Sequence, residues 1–292
     1  MTDRPTDRPD QSDADAAAEA TTQAGMPDAN LSHTPGYLRT LFGLENATAV
    51  VIGGTGTLGA AFARALAGAG AGVVICGRGE VAGQEVVDDI CAAGGQAEMK
   101  TVDATKRDEL EAIVEELDDE DRRCDVLINA AGINSATPYF DIPETEWRRI
   151  LDVNLTSVHL ACQTIGRRMV AAGSGSIINV ASMSAITPLS RVFTYSVSKA
   201  GVLNLTQNLA REFAPHGVRV NALSPGFFPA EQNREVLDDD RIATIMNHTP
   251  MARFGEPDEL AGAVLLLASP VAGRFITGAN MAVDGGFSAM TI

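Results

Sequence analysis

Aromatic side chains are scarce in this sequence of 292 residues, where Phe, Trp and Tyr together make up 5%. A β-sandwich built around an aromatic core is therefore a poor match. The hydrophobic fraction is nonetheless 45%, mainly from Ala, Val and Leu, a mixture that suits helices packed closely on a sheet. One α/β domain of this length is ordinary, so the sequence does not require a second domain.

Basic residues are few, because 22 Lys and Arg stand against 38 Asp and Glu and give a formal net charge of −16. Nucleic acid is excluded as an expected partner, since phosphate binding needs a basic footprint. Lysine is much rarer than arginine and occurs only at Lys100, Lys106 and Lys199. Coding bias with an acidic surface explains this balance, and salt adaptation is the alternative.

Cysteine occurs four times, at widely spaced positions without a C-x-x-C pair. Neither a disulfide framework nor a metal site is expected from such spacing. No apolar run reaches the ~18 residues that a membrane helix needs, and the N-terminus lacks a secretory apolar segment. These absences predict a cytoplasmic protein with reduced thiols and no membrane partner.

Residues 1–35 consist mostly of Thr, Asp, Ala, Pro and Ser, and they are predicted to form a disordered acidic tail. From Thr48 onward, short apolar runs alternate with helical stretches. Such alternation predicts one doubly wound parallel sheet over residues 36–292. The fold class is thus α/β, a Rossmann fold of about seven strands with helices on both faces.

A glycine-rich turn follows the first predicted strand, Ala49–Ile52. Gly54, Gly56 and Gly59 satisfy G-x-G-x-x-G, a pattern that permits a tight turn and places a diphosphate at a helix N-terminus. A plain tight turn is the alternative. The position of the motif in a β-α-β unit favours dinucleotide binding.

The second predicted strand ends at Cys76-Gly77-Arg78, without the carboxylate that binds a ribose 2′-hydroxyl. Because Arg accommodates a 2′-phosphate, the sequence favours NADP as cofactor, with NAD as the alternative. In that alternative, Arg78 is a solvated loop residue and Glu80 or a backbone group contacts the ribose.

Tyr195 and Lys199 form Y-x-x-x-K on a predicted helix, where a spacing of four puts both side chains on one face. A phenol with a pKa of ~10 is a poor acid–base catalyst at neutral pH, and a neighbouring ammonium favours the phenolate. Ser182 ends an upstream predicted strand at the carboxyl edge of the sheet. There it can donate to a substrate carbonyl, or simply cap a turn.

Taken together, these motifs resemble the short-chain dehydrogenase/reductase family over residues 45–290. The resemblance also uses Asn129-Ala130-Ala131-Gly132, Asn154, Pro225-Gly226 and Asp284-Gly285-Gly286. It implies an NAD(P)-dependent oxidoreductase that acts on CH–OH and C=O groups of a small molecule. It also implies a homotetramer or a dimer.

The same resemblance implies a role for each residue of the site. Tyr195 would donate or accept the proton, and Lys199 would lower the pKa of Tyr195 and hold the nicotinamide ribose. Ser182 would polarise the carbonyl, Asn154 would hold a water, and Asp103 would contact adenine. The residues expected to contact the cofactor are Gly53, Thr55, Gly56, Thr57, Leu58, Gly59, Arg78, Asp103, Ala104, Asn129, Ala130, Gly132, Tyr195, Lys199, Pro225, Gly226 and Phe228.

Several positions depart from the family pattern. Ile52 stands where Thr is usual, and Thr57 replaces a glycine of the turn. Ala130 replaces the second Asn of an N-N-A-G motif whose Asn129 would stabilise the central sheet. Ala230 stands where many members carry a Thr that contacts the carboxamide.

A substrate loop is expected over about residues 227–255. Its segments GFFPAEQNR and HTPMARFGEP resemble the D-mannonate oxidoreductase (fructuronate reductase) and gluconate dehydrogenase-like branch, which acts on sugar acids. Gln232 and Asn233 can bind hydroxyls and Arg234 a carboxylate, beside Ser182 and Tyr195. Alternatively, Arg234 is a surface charge, and Arg253 and Glu256 are structural residues at a helix entry.

The expected reaction interconverts a D-fructuronate-type keto acid and a D-mannonate-type hydroxy acid. Other substrates stay open: gluconate, a polyol, a steroid-like alcohol or a 3-oxoacyl thioester. A non-catalytic dinucleotide sensor is the alternative from another class, although a sensor has no need of the Tyr195 phenol.

Overall fold

The computed structural model describes residues 34–228 and 238–290. The chain divides after Arg39 into a short N-terminal unit and a second unit that spans the rest. The described part of the first unit belongs to helix α1 (Thr34–Phe42). Thr34 and Pro35 are therefore helical rather than part of the predicted tail, whose other residues lie outside the described ones.

Seven parallel strands form one sheet in the order β3-β2-β1-β4-β5-β6-β7. The predicted doubly wound parallel sheet is confirmed. Its strand order reverses between β1 and β4, which is where ligands bind in open α/β sheets. The strands are β1 (Thr48–Ile52), β2 (Gly72–Gly77), β3 (Gln96–Thr101), β4 (Cys124–Asn129), β5 (Gly175–Val180), β6 (Val218–Pro225) and β7 (Asn280–Val283).

Helices connect these strands across both faces of the sheet. Two apolar clusters fill the space between the layers. Ala49 and Val51 belong to one cluster, whereas Val50 and Ile52 belong to the other, as the alternation of side chains along a strand requires. The helices are α2 (Thr57–Gly68), α3 (Glu80–Ala92), α4 (Arg107–Asp119), α5 (Glu144–Leu151), α6 (Ser157–Ala172), α7 (Phe193–Phe213), α8 (Asp239–His248) and α9 (Ala261–Ala268).

Residues 147–170 do not form one continuous α-helix. A π-helical turn, Asp152–Thr156, separates α5 from α6. Such a turn inserts one residue into the helical repeat, and hydrophobic periodicity does not resolve a single insertion. Helix α7 begins at Phe193, so Tyr195 lies within its first turn and Lys199 lies one turn later, as the Y-x-x-x-K spacing predicts.

A buried polar chain ties helix α7 to the central strands. Asn129 Nδ2 donates to Asn179 Oδ1 at 2.8 Å, and Asn179 Nδ2 donates to Thr206 Oγ1 at 2.9 Å. The hydroxyl of Thr206 donates in turn to the Val202 carbonyl at 2.8 Å. The chain fixes α7 against β5, and with it the helix turn that carries Tyr195.

Thr206→Val keeps the side-chain shape but removes the acceptor for Asn179 Nδ2. We expect a loss of about 1–3 kcal/mol in the free energy of unfolding, because a buried donor is left without a partner. Thr244→Val is the matched control, since Thr244 also donates to the carbonyl four residues earlier, at 2.8 Å, but is exposed. Equal losses for both variants in urea denaturation would contradict a stabilising role for the buried chain.

Candidate active site

A cleft of about 420 Å³ opens at the carboxyl ends of the strands, where the strand order reverses. It is lined by the β1–α2 turn, by the segments that follow β2, β3 and β4, and by the start of α7. The structure brings together there most of the residues expected to contact the cofactor: Gly53, Thr55, Gly56, Thr57, Leu58, Gly59, Arg78, Asp103, Ala104, Ala130, Gly132, Tyr195 and Lys199.

The glycine-rich turn fits a diphosphate. Gly53 has φ +81°, and a Cβ there would lie 2.5 Å from the Ala131 nitrogen. A Cβ on Gly59 would overlap the carbonyl oxygen of Gly53. Helix α2 begins just after Gly56 without a side-chain cap, so its first-turn amides are left without intrahelical acceptors at the cleft. This is the arrangement that binds phosphate oxygens.

The two departures from the usual turn sequence are accommodated. Thr57 is exposed at the first position of α2, so its Cβ enters no packed space. Ile52 is 3% exposed and packs in the core cluster that also holds Val50. The turn keeps its glycines at Gly53 and Gly59, where the backbone approaches most closely.

Polar and charged groups line the far rim of the cleft. Asp103 Oδ1 accepts from Thr105 Oγ1 at 2.7 Å and from the Thr105 nitrogen at 3.1 Å. The Thr105 hydrogen bonds hold the pKa of the Asp103 carboxyl below its ordinary value, with help from the charges of Lys106 and Arg78. Arg78 is exposed there, within reach of a bound ligand.

Ser182 and Tyr195 meet at the other end of the cleft. Ser182 directly follows β5 and Ala181, and its hydroxyl shares a side-chain hydrogen bond with Tyr195. The Ser182 oxygen also accepts from the Ser184 nitrogen at 3.2 Å and so caps a 3-10 turn, Met183–Ala185. The interpretation of Ser182 as a turn cap is therefore confirmed, and its contact with a substrate carbonyl stays a prediction.

Lys199 lies beneath Tyr195 and is 3% exposed. Its Nζ donates to the Val180 carbonyl at 2.7 Å and lies 5.7 Å from the centroid of the Tyr195 ring. Burial lowers the pKa of Lys199 to about 8. An ammonium group placed here is costly, because among the described residues a single carbonyl, that of Val180, takes the place of its water.

Desolvation raises the pKa of Tyr195 above its ordinary value, and the hydrogen bond with Ser182 opposes this shift. The expected lowering of this pKa by Lys199 stays a prediction. The phenolate is disfavoured because the site offers little solvent to stabilise a negative charge. Without cofactor, Tyr195 is thus a protonated phenol at neutral pH.

Asn154 is fully buried in the π-helical turn. Its Oδ1 accepts from the Ile133 nitrogen at 2.8 Å, and its Nδ2 donates to the Ile133 carbonyl at 2.9 Å and to Ser198 Oγ at 3.0 Å. A Cβ on Gly132 would lie 3.5 Å from both Asn154 Oδ1 and Lys199 Nζ. Asn154 therefore lies close to Lys199, and its expected contact with a water stays a prediction.

Several residues expected at the cofactor do not line the cleft. Asn129 is 2% exposed and bonds Asn179 inside the sheet, in agreement with its expected stabilising role. Pro225 ends β6, and Gly226 packs so closely on Asp284 that a Cβ would lie 2.6 Å from the Asp284 Cα. Phe228 lines a separate cavity of about 380 Å³. The order of the motifs along the sequence does not show whether these residues face the cleft.

The expected substrate residues Gln232, Asn233 and Arg234 lie outside the described residues, as does Ala230. Arg253 pairs with Glu259 through two hydrogen bonds of 2.7 and 2.6 Å. Glu256 and Glu259 also form a capping box at the helix entry. The structural interpretation of Arg253 and Glu256 is therefore confirmed.

Sequence reasoning missed the apolar and small residues of the cleft. Gly77, Ile52 and Ala131 lie in segments already named from the sequence. The glycine at the end of β2 was a signal for Gly77, where a Cβ would lie 2.7 Å from Thr55 Oγ1. Only the fold brings the others to the cleft. The missed lining residues are Ile52, Gly77, Val102, Thr105, Ala131, Ile133, Val153, Ser157 and Val180.

The four cysteines are free, and Cys76, Cys124 and Cys162 are buried. Burial raises the pKa of all three thiols, to about 12 for Cys124 and Cys162. Over residues 34–228 and 238–290, no group of His, Cys, Asp or Glu is arranged to hold a metal ion. Within those same ranges, no helix combines the length and the apolar surface needed to cross a membrane.

Lys199→Met removes the buried charge and is expected to stabilise the cofactor-free protein at pH 7 by up to about 3 kcal/mol, from the fall in pKa from 10.5 to about 8. Between about pH 8 and pH 10.5 the unfolded chain binds the Lys199 proton more strongly than the folded chain does. Wild-type stability therefore rises with pH across this window, and the advantage of the variant shrinks. Urea denaturation from pH 7 to 10 measures this difference, and an advantage independent of pH would contradict it.

Comparison with known proteins agrees with this geometry. A family model described as Enoyl-(Acyl carrier protein) reductase matches residues 54–288. The chain is also similar to galactitol 2-dehydrogenase of Rhizobium johnstonii, with 39% identity over 257 residues that cover 85% of this chain and 97% of the relative.

Solved structures share the fold over almost their whole length. A gluconate 5-dehydrogenase of Burkholderia cenocepacia, in complex with NADP and tartrate, has a TM-score of 0.83 and 31% identity, covering 87% of this chain and 100% of that one. A provisionally assigned D-mannonate oxidoreductase of Haemophilus influenza with bound NAD has a TM-score of 0.81 and 30% identity, covering 87% and 99%. The chain therefore belongs to the short-chain dehydrogenase/reductase family and is an NAD(P)-dependent oxidoreductase.

Proposed function

We propose that this protein interconverts the keto and hydroxy forms of a sugar acid of the D-fructuronate and D-mannonate type. The proposal is carried by one observation: Ser182, Tyr195 and Lys199 meet at one end of a cleft whose glycine-rich turn suits a dinucleotide. Similar proteins whose names refer to gluconate and D-mannonate support the substrate class.

In this proposal, Tyr195 supplies the proton when a ketone is reduced. Because desolvation keeps the phenol protonated at neutral pH, Tyr195 is ready to donate to the carbonyl oxygen. Ser182 donates a second hydrogen bond to that oxygen and so stabilises the charge that develops on it. When bound, the reduced nicotinamide supplies the hydride.

Lys199 then stabilises the phenolate that forms once Tyr195 has lost its proton. Its ammonium is charged below a pH of about 8, where its pKa lies. Val180 holds the Nζ beneath the Tyr195 ring through the hydrogen bond of 2.7 Å. The proton can be restored through the polar groups that adjoin Lys199, among them Asn154 beside Gly132.

A neutral polyol is the second candidate substrate. The 39% identity to galactitol 2-dehydrogenase favours it, because galactitol carries no carboxylate. The proton-transfer groups serve both substrates equally, so acid and polyol must be distinguished by groups farther from the reacting carbon.

Tyr195→Phe is expected to lower kcat for D-fructuronate reduction by about 10²–10⁴-fold, because the proton donor is lost. NADPH binding should survive, since the phenyl ring still occupies the cleft wall. Absorbance at 340 nm measures turnover, and NADPH fluorescence titration measures binding. Tyr37→Phe makes the same chemical change in α1 and should keep the wild-type kcat.

Retention of full turnover by Tyr195→Phe would contradict the catalytic assignment. Loss of turnover in a variant that still binds NADPH would exclude a non-catalytic dinucleotide sensor. If the wild type oxidises NADPH with galactose-derived ketoses but with no keto acid, the polyol candidate replaces the sugar acid.

NADP is the cofactor that we propose as preferred. Arg78 lies exposed on the rim of the cleft, at the end of β2 where an acid would bind a ribose 2′-hydroxyl. A guanidinium group at this position can pair with a 2′-phosphate. Solved structures of similar proteins hold either NADP or NAD, so the family alone does not decide.

Arg78→Asp is expected to lower the ratio of kcat/KM for NADPH over NADH by about tenfold or more, because a charge-assisted hydrogen bond is replaced by repulsion. Arg107→Gln is the control, since Arg107 is exposed and bonds Gln163 outside the cleft lining. An unchanged cofactor ratio in Arg78→Asp would overturn the assignment of Arg78 to the 2′-phosphate.

A further inference from the structure

Two arginines stand together where the segment after Ser182 meets helix α8. Arg241, in the first turn of α8, donates from Nη1 to Ser190 Oγ at 3.1 Å and from Nη2 to the Ser190 carbonyl at 2.9 Å. Arg191 directly follows Ser190 in the sequence. The two hydrogen bonds therefore hold the start of α8 beside the guanidinium group of Arg191. Arg191 belongs to the short segment that leads from Ser182 to Tyr195.

Arg191 is only loosely engaged by its own partner. Its Nη1 donates to Asp238 Oδ2 at 3.3 Å, and the two side chains are 54% and 57% exposed. Exposed ion pairs contribute little to stability, so the loss of this one would cost the protein little. The backbone of Arg191 also has φ 68°, a conformation that a non-glycine residue adopts at a cost.

The charge of Arg191 acts on Arg241 at this corner. The pKa of Arg241 is lowered, first by desolvation and then by the charge of Arg191, whereas Asp238 opposes the shift. Nε of Arg241 is buried and has no hydrogen-bond partner among the described residues. Asp239 and Asp240 share the first turn of α8 and add negative charge nearby. Asp238 is the one carboxylate that contacts Arg191 among the described residues.

We propose that Arg191, supported by Arg241, binds the carboxylate of the substrate and thereby selects sugar acids over neutral polyols. In the free protein, Asp238 pairs with the guanidinium group that would hold the substrate carboxylate. The proposal rests on the function proposed above and names the residues that give it acid specificity. A local cation is needed, since a chain with a net charge of −16 otherwise repels an anionic substrate.

Arg191 can change its partner from Asp238 to a substrate carboxylate without loss of the helix cap. Asp238 Oδ1 accepts from the Arg241 nitrogen at 2.8 Å and so caps α8, and this contact does not depend on Arg191. Arg191 can therefore release Asp238 while the helix stays capped. A planar guanidinium group then pairs with both oxygens of the incoming carboxylate.

D-Fructuronate and D-fructose form a matched pair for the test, because they differ only in a carboxylate in place of a terminal CH₂OH group. Arg191→Gln is expected to raise KM for D-fructuronate about tenfold, and to lower the ratio of kcat/KM for fructuronate over fructose by a similar factor. Asp238→Asn is expected to raise that ratio about threefold, because it removes the competing charge. Asparagine caps a helix as well as aspartate does.

Arg168→Gln is the matched control, since Arg168 forms an exposed ion pair with Asp118 away from this corner. Thermal denaturation of each variant shows whether it is folded. Ratios within about twofold of the wild type for both Arg191→Gln and Asp238→Asn would overturn the proposal, and so would a fall in the ratio for Asp238→Asn. In either case the wild type still reduces D-fructuronate, whereas failure of the proposed function shows as no reduction of any sugar acid.

Discussion

The burial of one ammonium group constrains the arrangement of the whole site. Lys199 is almost inaccessible to solvent, and its Nζ is held by the carbonyl of Val180. Helix α7 must therefore cross the carboxyl end of β5, and the buried contact between Asn179 and Thr206 holds it there. Gly132 lies beside this ammonium group, since a Cβ there would be at ordinary contact distance from Lys199 Nζ.

The same lack of solvent sets the chemistry of Tyr195. Desolvation lowers the pKa of Lys199 and raises that of Tyr195, so both groups move toward their neutral forms. The chain alone thus holds a protonated phenol above a weakly basic amine. A positive charge brought into the cleft shifts this balance toward the phenolate. The pKa of Tyr195 therefore depends on the charge of the molecule that is bound in the cleft.

The sequence predicted the elements that follow simple repeats. Continuous β-branched runs revealed the buried strands, and the turn glycines Gly53 and Gly59 fall where backbone overlap forbids a side chain. The Tyr195–Lys199 spacing placed both groups on one helix face. The π-helical turn at Asn154 escaped prediction, since one inserted residue leaves no periodic signal. Arg191 escaped it too, because its partner Asp238 is distant in the sequence and only the fold joins them.

Ionisation of Tyr195 is the property that tests this account most directly. The measurement is an ultraviolet difference titration at 295 nm of the wild type against Tyr195→Phe, from pH 7 to 10, with and without NADP⁺. The account predicts that Tyr195 stays protonated throughout this range in the free protein and that its pKa falls when NADP⁺ is bound. Ionisation in the free protein with a midpoint well below pH 10 would show that Lys199 outweighs desolvation, and would contradict the account.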